Sequence, residues 1–304
     1  MSGRELVVLG TASQVPTRTR NHNGYLLRWD AEGVLFDPGE GTQRQLLLAD
    51  VSPSGITAIC ITHAHGDHCL GLPGVLQRLS LDGVTRPLPL VFPAAAAGYV
   101  DRLRHASVFL DRLDVRAYPV SEDGVVLRLG ELTLEARALK HRIPTFGYRL
   151  VEPDGRRMRP DLLAARGVSG PDVGRLLREG VLDRPDGPVR LEDVSEPRPG
   201  QRFAFVMDTA VCSGAADLAA AADLLVCEST FSADDAELAT AYAHLTSRQA
   251  AEIAASAGAR RLVLTHFSQR YENLEPLLAQ ARAVFTDVVL AQDLMRVPVP
   301  RRRR

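Results

Sequence analysis

Three imidazoles and a carboxylate fall within six residues, at His63, His65, Asp67 and His68 of the segment Thr62-His63-Ala64-His65-Gly66-Asp67-His68. Imidazole nitrogen and carboxylate oxygen are donors for borderline-hard metal ions. A half-buried strand would interleave them with apolar residues, whereas here they sit on a glycine-containing turn after an apolar run. Such a turn can send His63 and His65 to one side and Asp67 and His68 to the other. The ordinary alternative is a solvated loop, and the density of imidazoles weighs against it. Four donors cannot complete two four- or five-coordinate sites, so more are needed downstream. His141, Asp208 and His266 each follow a predicted strand. Taken singly, each reads as a turn or capping residue; together they are three strand-end donors.

The elements that must position these groups alternate along the chain. Apolar runs bounded by turn residues predict strands at 5–9, 25–29, 33–36 and 56–62, and helical spacing predicts helices at 43–48, 72–81 and 98–113. Strands follow at 125–129, 132–139 and 146–151. Residues 202–207, 215–222, 224–227, 247–257, 262–265, 274–284 and 288–290 continue the strand and helix alternation. Between them, residues 152–201 are rich in Pro, Gly and Arg and carry only two helical patterns, 160–166 and 171–179. They read as an arm inserted into a single α/β domain spanning 1–304. No short-period repeat is present, which excludes solenoids and propellers.

Composition narrows the class. The chain has 304 residues, 45% of them hydrophobic, with 36 basic and 37 acidic side chains and a net charge of -1. That excludes wholesale disorder and a general nucleic-acid coat. Lys140 is the one lysine among the basic residues, a coding bias without catalytic weight. Cys60, Cys69, Cys212 and Cys227 make no disulfide framework, and Cys69 reads as a small buried residue. No apolar stretch of 18 residues or signal-like start is present, so no membrane span and a cytoplasmic location are expected. The tail Val297–Arg304, which ends in the four arginines Arg301–Arg304, reads as mobile and solvated, with phosphate contact the minority reading. His105 reads as exposed or as a phosphate contact, and His22 as facing the rim of a site.

Four segments carry a resemblance. The H-x-H-x-D-H cluster resembles the metallo-β-lactamase superfamily. Phe36-Asp37-Pro38-Gly39-Glu40-Gly41-Thr42-Gln43, Pro16-Thr17-Arg18-Thr19-Arg20-Asn21 and Thr265-His266-Phe267-Ser268-Gln269-Arg270-Tyr271 are similar to motifs of its tRNA 3′-processing branch, ribonuclease Z. The resemblance implies an αββα four-layer sandwich with a protruding substrate-binding arm. It implies two zinc ions per subunit, with manganese a possible substitute: one held by His63, His65 and His141, the other by Asp67, His68 and His266, with Asp208 bridging. It assigns Asp67, His244 and Glu228 to the catalytic machinery: Asp67 as proton acceptor, His244 as proton donor to the leaving oxygen, and Glu228 orienting His244. His244 also has an ordinary reading, as a helix-start residue bonded to backbone.

Two metals can clamp a phosphodiester and activate water against it, so the implied activity is endonucleolytic removal of the 3′ trailer from precursor tRNA. Arg18, Arg20, Asn21, Ser268 and Arg270, with Arg156, Arg157, Arg175 and Arg178 of the arm, are the expected substrate contacts. Residues 156–178 hold six arginines against Asp161 and Asp172, a local polyanion site. A homodimer is implied by resemblance alone. The competing readings are a hydrolase of a small phosphodiester, lactone or thioester, disfavoured by the arm, and an RNA-binding module without catalysis, disfavoured by the full donor set. Pro38, Met207 and Leu245 depart from the family pattern, where Cys, Gly and Ser are common.

Overall fold

The first strand, Glu5–Gly10, buries both faces: Leu6 and Val8 join one apolar cluster, Val7 and Leu9 another. A two-residue period gives this result when each face of a sheet meets a partner. In the computed structural model, which describes residues 3–302, the partners are a second sheet on one side and helices on the other. Two compact units are present, one made of the residues up to Val151 and from Arg202 onward, the other of Glu152–Gln201.

The larger unit contains two mixed seven-stranded sheets. The first runs, in spatial order, Arg296–Pro298, Glu5–Gly10, Gly24–Trp29, Glu32–Phe36, Ala58–Cys60, Leu88–Pro93 and Val115–Val120. The second runs Val288–Leu290, Leu262–Thr265, Leu224–Glu228, Arg202–Val206, Thr145–Val151, Leu132–Leu139 and Gly124–Leu129. Their inner faces share one core: Phe36 of the first sheet stacks on Phe205 of the second at 4.7 Å, and Tyr25 lies 5.2 Å from Phe205. Aromatic pairs of this kind add about 1 kcal/mol each beyond their burial. Outside the first sheet, Leu46, Leu72, Val75, Leu76, Leu79 and Val100 from three helices close the second cluster. Outside the second, Ala215, Leu218, Ala250, Ile253 and Leu277 of helices Ser213–Ala219, Ser247–Ser256 and Glu275–Arg282 do the same. The layers are therefore helix, sheet, sheet, helix.

Several elements differ from expectation. The helix expected over 98–113 is Ala97–Arg104, because Val108 and Leu110 beyond it are exposed and offer no apolar stripe to bury. The strands Leu88–Pro93 and Val115–Val120 were hidden by their prolines. Pro89 and Pro93 flank Leu90 and Val91, the two residues paired with Ala58–Cys60, so neither proline is asked for a ladder N–H on that side.

The smaller unit has its own apolar cluster of Leu163, Val168, Leu176, Leu182, Val189 and Val194. Besides the two expected helices, Pro160–Ala165 and Pro171–Glu179, it contains strand pairs Gly155–Met158 with Ser195–Arg198 and Val181–Leu182 with Val189–Arg190. The tail is not solvated throughout: Arg302 forms a two-point ion pair with the fully buried Asp223, which also holds Arg260. Arg303 and Arg304 lie outside the described residues.

Candidate active site

Strand ends build the site, and the backbone turns sharply there. Asp37 after Glu32–Phe36, Asp208 after Arg202–Val206 and His266 after Leu262–Thr265 all have positive φ, at 44°, 42° and 60°. Non-glycine residues in this region cost of order 1 kcal/mol each, strain tolerated where surrounding contacts over-determine it. The turn bearing His63 is pinned from the facing sheet, where Tyr148 Oη donates to Ile61 O at 2.7 Å and the Phe146 N–H to Thr62 O at 3.0 Å.

The seven expected metal donors converge in two groups. His63, His65, His141 and Asp208 form one; Asp67, His68 and His266 form another. Within the first, His63 Nε2 lies 2.9 Å from His65 Nδ1 and 3.4 Å from Asp208 Oδ2, and His141 Nε2 lies 3.4 Å from His65 Nδ1 and 3.7 Å from Asp208 Oδ2. Around the second, His68 Nε2 lies 3.3 Å from Asp67 Oδ2 and 3.4 Å from Asp208 Oδ1, and His266 Nε2 lies 3.6 Å and 3.1 Å from the same two oxygens. Ligands about 2.0–2.1 Å from a tetrahedral ion are spaced by about 3.3 Å, which these separations match. Asp208 offers one oxygen to each group. Among the described residues, Asp208 Oδ1 and His266 Nε2 are buried without a hydrogen-bond partner. Buried polar atoms left so are costly, and a cation between them removes that cost. The donor set fits a divalent metal.

Four of the five imidazoles, those of His63, His68, His141 and His266, also commit their second nitrogen. His63 Nδ1 meets Thr62 Oγ1 at 3.0 Å, His68 Nδ1 meets Asp37 Oδ2 at 2.8 Å, His266 Nδ1 meets Thr230 Oγ1 at 2.7 Å and His141 Nδ1 meets Ala243 O at 3.1 Å. Such partners fix ring orientation and raise ligand basicity. Sequence reasoning assigned none of them a role. The signal for Asp37 was nevertheless present, as a carboxylate at the end of a predicted strand. Burial lowers the pKa of His63, His141 and His65, the last to about 4, with neighbouring imidazoles adding to the effect, so their lone pairs are free at neutral pH. Burial alone would raise the carboxyls of Asp67 and Asp208, but the surrounding imidazoles outweigh it and hold both ionised.

His244 stands beside this cluster, its ring 5.1 Å from that of His141 and 5.5 Å from that of His266. The helix Ala236–Tyr242 ends at Ala243, whose φ of 56° turns the chain back. His244 Nδ1 then meets Glu228 Oε1 at 2.9 Å. Glu228 is fully buried, accepting also from the Thr209 N–H and Thr230 Oγ1. Burial would lower the His244 pKa, but Glu228 and Asp208 outweigh it and push the imidazole up to about 9. Asp67 Oδ2 accepts the Gln14 N–H at 2.8 Å. The loop carrying Gln14 is tied down by Asp293, another residue missed from sequence. Its carboxylate takes the Asn21 N–H at 2.7 Å and Thr11 Oγ1 at 2.8 Å.

The expected substrate contacts divide. Arg18 and Arg270 are exposed. Arg20 spends its terminal nitrogens on the carbonyls of Tyr271 and Ser268, at 3.0 and 3.2 Å, and the Asn21 amide donates to His22 O and Glu40 O. Both hold loops together. His22 is buried against Gln14 O, and Cys69 is buried. In the smaller unit, Arg156 is bonded to Ser195, Arg157 pairs with Glu196, and Arg175 lies near Asp172 and Glu179. Arg178 is exposed, as is Arg166. The excess of arginine over 156–178 is local, because the whole unit carries nine arginines against ten carboxylates.

Known proteins resemble the chain in sequence and in fold. The family profile described as Metallo-beta-lactamase superfamily matches residues 17–266. A Ribonuclease Z of Salinispora arenicola is 59% identical over 100% of this chain and 98% of its own length, and one of Chlamydia pneumoniae is 43% identical over 99% and 98%. Among solved structures, human tRNase Z, short form, superimposes with a TM-score of 0.72 at 26% identity, covering 97% of this chain and 99% of that one. With that identity over its full length, and the donors gathered at the ends of its strands, the chain belongs to the ribonuclease Z family of the metallo-β-lactamase superfamily.

Proposed function

We propose that the chain acts as the endoribonuclease that removes the 3′ trailer from precursor tRNA, leaving a 3′-hydroxyl on the tRNA. The observation that carries the reading is the donor set divided by Asp208, beside a carboxylate-held imidazole, in a chain whose full-length relatives are ribonucleases Z. A hydrolase of small phosphodiesters would share the donors, and the family relationship decides against it.

His63, His65 and His141 would hold one ion, Asp67, His68 and His266 a second, and Asp208 both. Mixed imidazole and carboxylate donors favour zinc, with manganese a substitute. Bound there, the ions supply Lewis acidity toward a phosphodiester and a lowered pKa for water. The protein does the rest. Asp67, kept ionised, accepts a proton from the attacking water. His244, kept protonated by Glu228, delivers a proton from Nε2 to the leaving 3′ oxygen, since its Nδ1 is engaged. Thr62, Asp37, Thr230 and Ala243 keep the ligating rings aimed.

The unit Glu152–Gln201 is the substrate arm, with Arg166 and Arg178 among its exposed cations toward tRNA phosphates, recognising shape rather than bases. Arg18 and Arg270 meet RNA at the site itself. The enzyme works as a cytoplasmic homodimer; no helix among the described residues is long and apolar enough to cross a membrane. The test is a 3′-extended tRNA precursor incubated with the zinc-loaded protein. Cleavage just after the discriminator base, abolished in Asp67→Ala, is expected. An intact precursor together with rapid thioester hydrolysis would sink the reading.

A further inference from the structure

Tyr242 is a large aromatic residue left 45% exposed at the last position of the helix Ala236–Tyr242, two residues before His244. Its surroundings are ordered. The ring stacks on Phe231, centroids 6.2 Å apart and planes 20° apart, and the Arg142 guanidinium lies over it at 4.8 Å. Arg142 is exposed yet held, its Nη2 donating to Ala241 O at 2.7 Å. Beyond Phe231, the Arg270 guanidinium lies 5.6 Å from the Phe231 ring. A ladder of two rings, Tyr242 and Phe231, is therefore bracketed by two guanidiniums, Arg142 and Arg270. Phe231 lies 6.1 Å from the His244 ring, and Arg142 directly follows His141. Neither Arg142 nor Tyr242 is one of the metal donors or a member of the Glu228–His244 pair.

Guanidinium planes and phenol rings are the surfaces on which unpaired nucleobases stack, whatever their identity. A tethered guanidinium laid over a tyrosine that is itself packed on a buried phenylalanine is such a surface already organised: a base stacks on the Arg142 plane with Tyr242 behind it, and little side-chain freedom is lost when it arrives. The reaction says which base. Hydrolysis that leaves a 3′-hydroxyl on the tRNA breaks the bond from phosphorus to the 3′ oxygen of the last tRNA nucleotide, and His244 gives that oxygen its proton. The ribose carrying the leaving oxygen is thus the one against His244, and its base is the one within reach of the ladder beside His244. The first trailer nucleotide lies on the far side of the phosphate.

We propose that Arg142 and Tyr242 form a stacking platform for the nucleobase immediately 5′ of the scissile bond. The inference rests on the tRNA-processing reading above and adds to it a subsite that tolerates any of the four bases. It predicts that the platform sets affinity and alignment at the cut without dictating sequence.

The test uses the zinc-loaded enzyme and a tRNA precursor whose scissile 3′ oxygen is replaced by a methylene group, so that it binds uncut. 2-Aminopurine is placed either at the last tRNA nucleotide or at the first trailer nucleotide. Stacking quenches its fluorescence. Expected are strong quenching at the last tRNA nucleotide, its loss in Tyr242→Ala with about tenfold weaker binding, and its retention in Tyr242→Phe. Quenching at the first trailer nucleotide should be the same in all three proteins. An abasic last nucleotide should weaken binding to the wild type but add nothing in Tyr242→Ala. If the wild type cuts the ordinary precursor while Tyr242→Ala quenches as the wild type does, or loses quenching only on the trailer side, the platform is overturned and the activity stands. If the wild type neither binds nor cuts the precursor, the activity falls and the platform with it.

Discussion

Five imidazoles and two carboxylates meet within a few ångströms, and what distinguishes them is which further group each one touches. His68 is the clearest case, because Asp37 takes its Nδ1 and leaves Nε2 for the cluster. Asp37→Asn keeps the shape and loses the charge. It is expected to weaken metal binding by about 10- to 100-fold, measured by competition against a chromogenic chelator. His244 gives a prediction in pH. Its protonated form is the one that can act as an acid, so the rate falls as pH rises through its pKa. Glu228 holds that pKa near 9 against the effect of burial. In Glu228→Gln burial is opposed by less negative charge, and the alkaline limb of kcat/KM moves to lower pH. A profile with an unmoved alkaline limb would mean that another group is the acid.

At the scale of elements, the site depends on where strands stop and how helices begin. Predicted strands at 132–139 and 262–265 match Leu132–Leu139 and Leu262–Thr265, because their β-branched and leucine runs are bounded by turn residues. The strands around Pro89 and Pro119 were not legible, since their pairing depends on neighbours far along the chain. The helix Ser247–Ser256 opens on a capping box in which Thr246 accepts the Gln249 N–H and the Gln249 side chain accepts the Thr246 N–H. Thr246→Ala is expected to cost about 1 kcal/mol of stability, read as a lower midpoint in urea with an unchanged slope. Leu245, where the family pattern has Ser, is fully buried in the main core; the substitution exchanges a polar group for packing.

On the scale of the whole molecule, two compact units differ in what they hold. The larger one supplies donors from the ends of strands of two sheets, so the site cannot form until the sheets have packed face to face. The smaller one is charge-balanced, with ten carboxylates against nine arginines, and most of the arginines expected to meet RNA are paired within it. Among the described residues of 156–178, Arg166, Arg175 and Arg178 are the exposed arginines, and Arg175 lies near Asp172 and Glu179. Replacing Arg166 and Arg178 with Ala should weaken tRNA binding and reduce the slope of log K against log salt by about 1 for each phosphate no longer neutralised, while leaving hydrolysis of a small phosphodiester unchanged. Equal loss of both activities would show that the arm serves the site itself.

The linear sequence by itself determined the donor types, the turn that bears four of them and the alternation that makes a layered α/β chain, because each rests on local spacing. It also carried the motifs that mark the family. Only the tertiary structure decided that Arg20 and Asn21 hold loops, that Asp37 and Thr230 aim the ligating rings, and that Asp293 ties down the loop reaching Asp67. It also set Tyr242 between Phe231 and Arg142 beside His244. The physical reason is the same throughout. A residue's capacity to ligate or donate belongs to its own atoms. What that capacity is spent on depends on neighbours far away along the chain, brought into hydrogen-bond reach only when the sheets close on a shared core.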